Sequence, residues 1–191
     1  MTTAKFLRGR LQNKPGVVGA SIILRSGNYF DYLEPTPTMI HVDDVAWGLA
    51  HTCRFGGQIP MFYSVAQHCV LVSQACPSED RFAGLLHDAA EAYVGDVVGP
   101  LKQLCPDFKA IERRVEAVVA LRFGLTLPWP CSVKHADLRL LRTEQRDLTT
   151  GPEDQWNGLH AYTPLAERIV PLPPLQAAEL WLQEFYRLGG K

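Results

Sequence analysis

The chain has 191 residues, 47% of them apolar and 20% charged, which suffices for one domain with a real core and excludes a disordered composition. The formal net charge of −1 excludes the broad basic footprint that duplex nucleic acid demands, leaving only a local basic patch inside a pocket. Five cysteines, an odd number with no C-x-x-C spacing, read as reduced core thiols of a cytoplasmic protein rather than as a disulfide framework or a structural zinc site.

In chain order, residues 1–18 read as a flexible lead-in, and 19–191 as a single domain. The apolar stretch Val17 to Leu24 is broken by Gly19 and ended by Arg25, too short to span a membrane. Ala20 to Leu24 and Tyr29 to Leu33 flank Arg25-Ser26-Gly27-Asn28, which predicts a small hairpin over 20–33.

From residue 42 the period becomes helical. Val42, Val45, Ala46, Leu49 and Ala50 share one face of a first helix, which Arg54-Phe55-Gly56-Gly57 stops. Ser64 is an N-cap for a second helix with Val65, His68, Leu71 and Val72 on one face. Ser78-Glu79-Asp80 opens a third helix that carries Phe82, Leu85, Leu86, Ala89, Ala90 and Tyr93 and ends at Gly95. A fourth runs from Asp107 to Phe123, and a fifth from Ser132 to Leu148 with Val133, Ala136, Leu140 and Leu141 inward. A last amphipathic helix spans Leu175 to Leu188. The predicted class is all-α with an N-terminal β-hairpin, and the helical core covers 42–148.

Three of these helices carry potential metal ligands at inward positions: His68 on the second, His87-Asp88 on the third, and Asp137 on the fifth, one turn from Val133 and Leu141. A buried aspartate among leucines is costly unless a cation or a donor satisfies it. Two imidazoles and two carboxylates suit one divalent ion such as Co, Mn, Zn, Fe or Mg, with coordination positions left for water and a phosphate oxygen. Taken singly, His68 is more often a satisfied core histidine; the set of four changes that reading. Glu91, four residues past His87, projects from the same helix face and suits a general acid/base. Asp96 follows the helix stop, Arg54 offers a guanidinium that matches phosphate, and Lys102 is a further cation for phosphate. The run Arg139, Arg142 and Arg146, with Glu144 and Asp147 interspersed, reads as a solvated face. Trp181, Leu182 and Phe185 read as core or as a dimer contact.

His68, His87-Asp88 and Asp137 form the H…HD…D signature of the HD-domain superfamily. Cys53-Arg54-Phe55-Gly56-Gly57, Phe62 to His68, and Leu85 to Asp96 resemble its branch of bacterial 5′-deoxynucleotidases and phage or prophage HD hydrolases, over residues 20 to 148. The resemblance implies an HD-domain helical bundle with His68, His87, Asp88 and Asp137 binding one divalent metal. It implies Glu91 positioning or deprotonating the attacking water, Arg54 holding phosphate, and Asp96 hydrogen-bonding the sugar 3′-hydroxyl. Phe55 stands where the deoxynucleotidases pack a tryptophan against the sugar, and Gly95-Asp96-Val97-Val98-Gly99-Pro100 replaces their Gly-Asp-Leu-Pro-Thr-Pro type segment, without its hydroxyl. These departures concern sugar and phosphate number and leave the metal set intact. The expected function is hydrolysis of deoxynucleoside monophosphates to nucleoside and phosphate. A triphosphohydrolase of phage type and a non-catalytic nucleotide-binding module are the alternatives, with a small-molecule nucleotide as partner and a homo-oligomer allowed.

Overall fold

A computed structural model describes residues 19–152 and 156–191, so the lead-in expected over 1–18 lies outside the described residues. The structure is mostly helical with one two-stranded antiparallel hairpin near the N-terminus. Strand β1 (Ser21–Ile23) pairs β2 (Tyr29–Asp31) in the register Ser21↔Asp31, Ile22↔Phe30, Ile23↔Tyr29, shorter at both ends than the apolar runs suggested. Period-2 alternation buries Phe30, which stacks on Tyr93 with ring centroids 4.2 Å apart. The turn is pinned to the helical body where the Ser26 amide and hydroxyl donate to the Asp44 carboxylate at 2.9 and 2.7 Å.

Helix α1 (Val42–His51) buries Val45, Ala46, Leu49 and Ala50, as its period dictates. Helix α2 (Val65–Ala75) starts where the Ser64 hydroxyl accepts from the Gln67 amide, and eight of its eleven residues are buried. Such a helix belongs at the centre of a bundle, and it packs against α1, α3 (Arg81–Leu86), α7 (Cys131–Leu148) and α8 (Pro174–Arg187). Its buried Gln67 is satisfied by the extended segment before α8, donating to the Val170 carbonyl and accepting from the Leu172 amide. Trp181 and Phe185 of α8 lie fully inside the main core, stacked at 5.4 Å, so they are core residues.

The third helix differs from its expectation. It is α-helical only over Arg81–Leu86, passes through a turn at 87–90, and resumes as α4 (Glu91–Val94). Through the turn the amides of Ala89, Glu91, Ala92 and Tyr93 bond three residues back instead of four. Side chains three apart then eclipse, so Glu91 lines up with Asp88 rather than standing squarely over His87. A short helix absent from the sequence reading, α5 (Gly99–Leu104), follows and runs through Cys105 into α6 (Pro106–Arg122). Close approach sets α4 against α1: a Cβ on Gly48 would meet the Ala92 carbonyl oxygen at 2.7 Å.

The cysteines are all free thiols: Cys69 and Cys76 are buried, Cys53 and Cys105 half-buried, and Cys131 exposed, so only some are core residues. Among the described residues no helix is long and apolar enough to cross a membrane.

Candidate metal and substrate site

The bundle brings His68 from α2, His87 and Asp88 from the turn after α3, and Asp137 from α7 to one place. His68 Nε2 lies 3.5 Å from Asp88 Oδ2 and 3.4 Å from Asp137 Oδ1, and His87 Nε2 lies 3.2 Å from Asp88 Oδ2. The two Nδ1 atoms point away and are engaged. His87 Nδ1 donates to the Gly84 carbonyl at 2.8 Å, and His68 Nδ1 donates to Glu144 Oε1 at 2.6 Å. A carbonyl can only accept, so Nδ1 of His87 carries a proton and Nε2, the nitrogen left to ligate a cation when the ring is neutral, is turned toward the carboxylates. The same holds at His68, whose partner is a carboxylate. Both Nε2 atoms are buried with no hydrogen-bond partner. Orphaned imidazole nitrogens aimed at two carboxylates, each ring oriented by its far nitrogen, are the donor arrangement of a divalent cation site. Groups on these residues can hold a metal ion: His68, His87 and Asp137 form one triad, and Cys69, His87 and Asp88 a second one sharing the His87 ring.

The carboxyl groups of the site are shifted in opposite directions. Burial raises the Asp88 pKa, but His87 and His68 outweigh it and hold the carboxyl below its ordinary range. Asp137 is held down likewise, against burial, by the neighbouring His68 first and then by His87 and Lys134. Glu91 goes the other way. Burial, then the like charges of Asp88 and Asp96, push its pKa well above the carboxylate range against the opposing pull of Arg54 and Lys102, and its Oε2 has no partner. Asp96 is also raised, chiefly by burial.

Arg54 is aimed inward by an unusual turn. Its amide donates to the Tyr63 carbonyl at 2.9 Å, and the next residues, Phe55, Gly56 and Gly57, all have positive φ (57°, 58° and 73°). Glycine adopts that conformation freely, but at Phe55 it costs roughly 1–2 kcal/mol. Arg54 Nη2 donates to Glu144 Oε2 at 2.9 Å, and Nη1 lies 3.9 Å from Asp88 and 4.0 Å from Asp96. Its Nε is buried without a partner.

Above these groups opens a cavity of about 730 Å³, the size of a small-molecule site. Its lining includes the charged Asp88, Asp96, Asp137, Arg54, Lys102 and Lys134 and the apolar Phe55, Ile59, Val97, Leu141 and Trp156. The rings of Phe55 and Trp156 stand 5.9 Å apart. A smaller cavity of about 160 Å³ adjoins it, lined by His87, Asp88, Glu91, Lys102, Glu112 and Glu116.

All nine residues singled out in the sequence therefore lie around these two cavities, except that His68 sits beneath the floor, fully buried. Lys102 is already engaged, 2.7 Å from Glu112 and 3.7 Å from Glu91. The face read as solvated is corrected: Glu144 is 0% exposed and bridges Arg54 and His68, while the Asp147 side chain is 2% exposed and paired. Period 3.6 could have found Glu144, since it follows Leu140 by four residues and Asp137 by seven, two turns along the inward face. Lys134, 2.8 Å from Asp137, and Trp156 were missed as well, the latter because it lies outside any periodic segment.

No protein-family model matches the chain. It is 41% identical over 166 residues to the uncharacterized protein YfdR of Escherichia coli (strain K12), spanning 86% of this chain and 93% of that protein. It is 38% identical over 121 residues to an uncharacterized protein of Rhodobacter capsulatus, spanning 58% of this chain and 62% of that one.

Proposed function

The chain belongs to the family of Escherichia coli YfdR, and we propose that it is a metal-dependent phosphohydrolase of the HD-domain type that cleaves the 5′-phosphate ester of a deoxynucleoside monophosphate. The observation that carries this reading is the pair of buried, partnerless Nε2 atoms facing Asp88 and Asp137 beside a cavity lined by both charged and apolar side chains.

His68, His87, Asp88 and Asp137 would hold a divalent cation, which when bound would supply Lewis-acid polarisation of a phosphoryl oxygen. Glu91 takes a proton from the attacking water on Oε2, and its raised pKa makes its ionised form a stronger base than an ordinary carboxylate. Arg54 holds the phosphate through Nη1, the terminal nitrogen that Glu144 leaves unused and that lies toward Asp88 and Asp96. Asp96 accepts from a sugar hydroxyl, and Phe55 with Trp156 contacts sugar and base. Water adds to phosphorus, the bond from phosphorus to O5′ breaks, O5′ takes up a proton in place of the one Glu91 accepted and so restores the carboxylate's balance, and nucleoside and phosphate leave.

The cations along the cavity favour one phosphate over three. Among the described residues the cations lining the cavity are Arg54, Lys102 and Lys134, and two of these are already paired, Lys134 with Asp137 and Lys102 with Glu112. The free thiols support a reducing, cytoplasmic setting.

The test is to strip the protein of metal, restore Co, Mn, Zn or Mg singly, and assay ribo- and deoxynucleoside mono-, di- and triphosphates, separating phosphate from triphosphate. Phosphate released from deoxynucleoside monophosphates, and lost in Asp88→Ala and Glu91→Ala, is the expected result. Triphosphate as product would replace the substrate assignment, and no turnover with any metal would remove the hydrolase reading.

A further inference from the structure

Glu144 has no counterpart in the roles assigned above, yet it is the most buried carboxylate near the site and touches two functional groups from opposite sides. It projects from α7 two turns beyond Asp137. One oxygen accepts from His68 Nδ1 at 2.6 Å and the other from Arg54 Nη2 at 2.9 Å. These partners lie 76 and 90 residues away in sequence and serve different ends of the reaction: one ring faces the metal set and the other group faces the phosphate.

We infer that Glu144 is a positioning residue that couples the cation centre to the phosphate clamp, so that neither His68 nor Arg54 is oriented independently of the other. This rests on the reading of the site as a metal centre. The physics is that of a buried carboxylate with both oxygens committed. A second acceptor is required by His68 to keep its proton on Nδ1 and its lone pair on Nε2. Arg54, largely buried where it lines the cavity, needs a counter-charge at the nitrogen turned toward the protein interior. One carboxylate meets both needs. An amide in its place offers one acceptor and one donor, so one of the two partners is left facing a donor.

The experiment is a titration of the whole protein with Co²⁺, followed by the ion's visible absorption, for wild type, Glu144→Gln, Arg54→Met and the double variant, each checked for folding by circular dichroism. Asp147→Asn, a buried carboxylate one turn further along the same helix, controls for loss of a buried charge. Glu144→Gln weakens Co²⁺ binding about 10–100-fold, Asp147→Asn leaves it within about twofold, and the effects of Arg54→Met and Glu144→Gln are non-additive by more than about threefold. Should Glu144→Gln fail to fold, Glu144→Asp, which keeps the charge but loses reach to one partner, takes its place in the cycle. Additive effects, or Co²⁺ affinity unchanged at position 144, would overturn the coupling while leaving the metal centre standing. A wild-type protein that binds no Co²⁺ would overturn both.

Discussion

Two acidic regions sit at either end of the second half of helix α7, and they are built on opposite plans. At its C-terminal end Asp147 is fully paired: Oδ1 accepts from Arg146 at 2.6 Å and Arg168 at 2.7 Å, and Oδ2 from Arg146 at 2.8 Å and the Ile169 amide at 2.9 Å. Burial works against it, but these partners hold its carboxyl down to about 2. Around Asp137, in contrast, Asp88, Glu91 and Asp96 approach His87, Lys102 and Arg54 only at 3.2–4.0 Å, and four side-chain atoms of the described site (His68 Nε2, His87 Nε2, Glu91 Oε2 and Arg54 Nε) are buried unpaired. Both regions are charged and enclosed. The Asp147 node closes the loop after α7 onto the body of the protein, whereas the site leaves buried polar atoms without partners, a cost that a bound cation and substrate would relieve.

The comparison breaks most sharply at Asp88. Asp88→Ala removes a carboxylate from between both imidazoles and takes hydrolysis to background, read in the phosphate-release assay, with cation binding lost in parallel. Glu91→Gln should cost about 10²–10⁴-fold in kcat while cation affinity is retained, because Glu91 acts on the water rather than on the ion. Trp156→Ala removes one side of the apolar wall and raises KM for a nucleotide about 2–10-fold, with little change in kcat. At the other end of α7, Asp147→Asn leaves kcat and KM unchanged and lowers stability by about 1–3 kcal/mol, a loss of several degrees in Tm for a chain of this size.

The pH response sharpens the same contrast. With a folded pKa of about 2 against an unfolded value of 3.8, Asp147 stabilises the fold above the unfolded value. That contribution is lost as pH falls from about 4 toward about 2. Thermal melts over this range should therefore converge for wild type and Asp147→Asn at the acid end. Glu91, raised rather than lowered, must be ionised to act, so activity rises with pH through a limb above the ordinary carboxylate range.

Much of this was legible in the sequence because burial and period are written together there. Val45, Leu49, Val65, Val72, Val133 and Leu140 mark the inward faces, and the structure buries each of them. The residues His68, His87, Asp88 and Asp137 stand on those faces, so the helical period was enough to converge them. The turn at 87–90 was not legible, since bonding three residues back instead of four leaves the apolar pattern of Leu85, Leu86, Ala89 and Ala90 unchanged. Helix α5 is short and opens on Gly99-Pro100, which reads as a turn. Glu144 was hidden by its neighbours Arg142 and Arg146: a charged run suggests a wet face, and only the partners brought from α2 and from Arg54 show why this one charge is inside. The partners of Asp147, Arg168 and Ile169, come from a segment 21 and 22 residues on, beyond the reach of any local pattern.

The central claim is that the two orphaned imidazole nitrogens mark a cation centre. Equilibrium dialysis of the metal-stripped protein against Mn²⁺ or Zn²⁺, with wild type, His87→Ala and Asp147→Asn side by side, tests it most directly. The account predicts one ion per chain in wild type and Asp147→Asn and none in His87→Ala. An ion retained by His87→Ala with wild-type affinity, or none bound by the wild type, would contradict it.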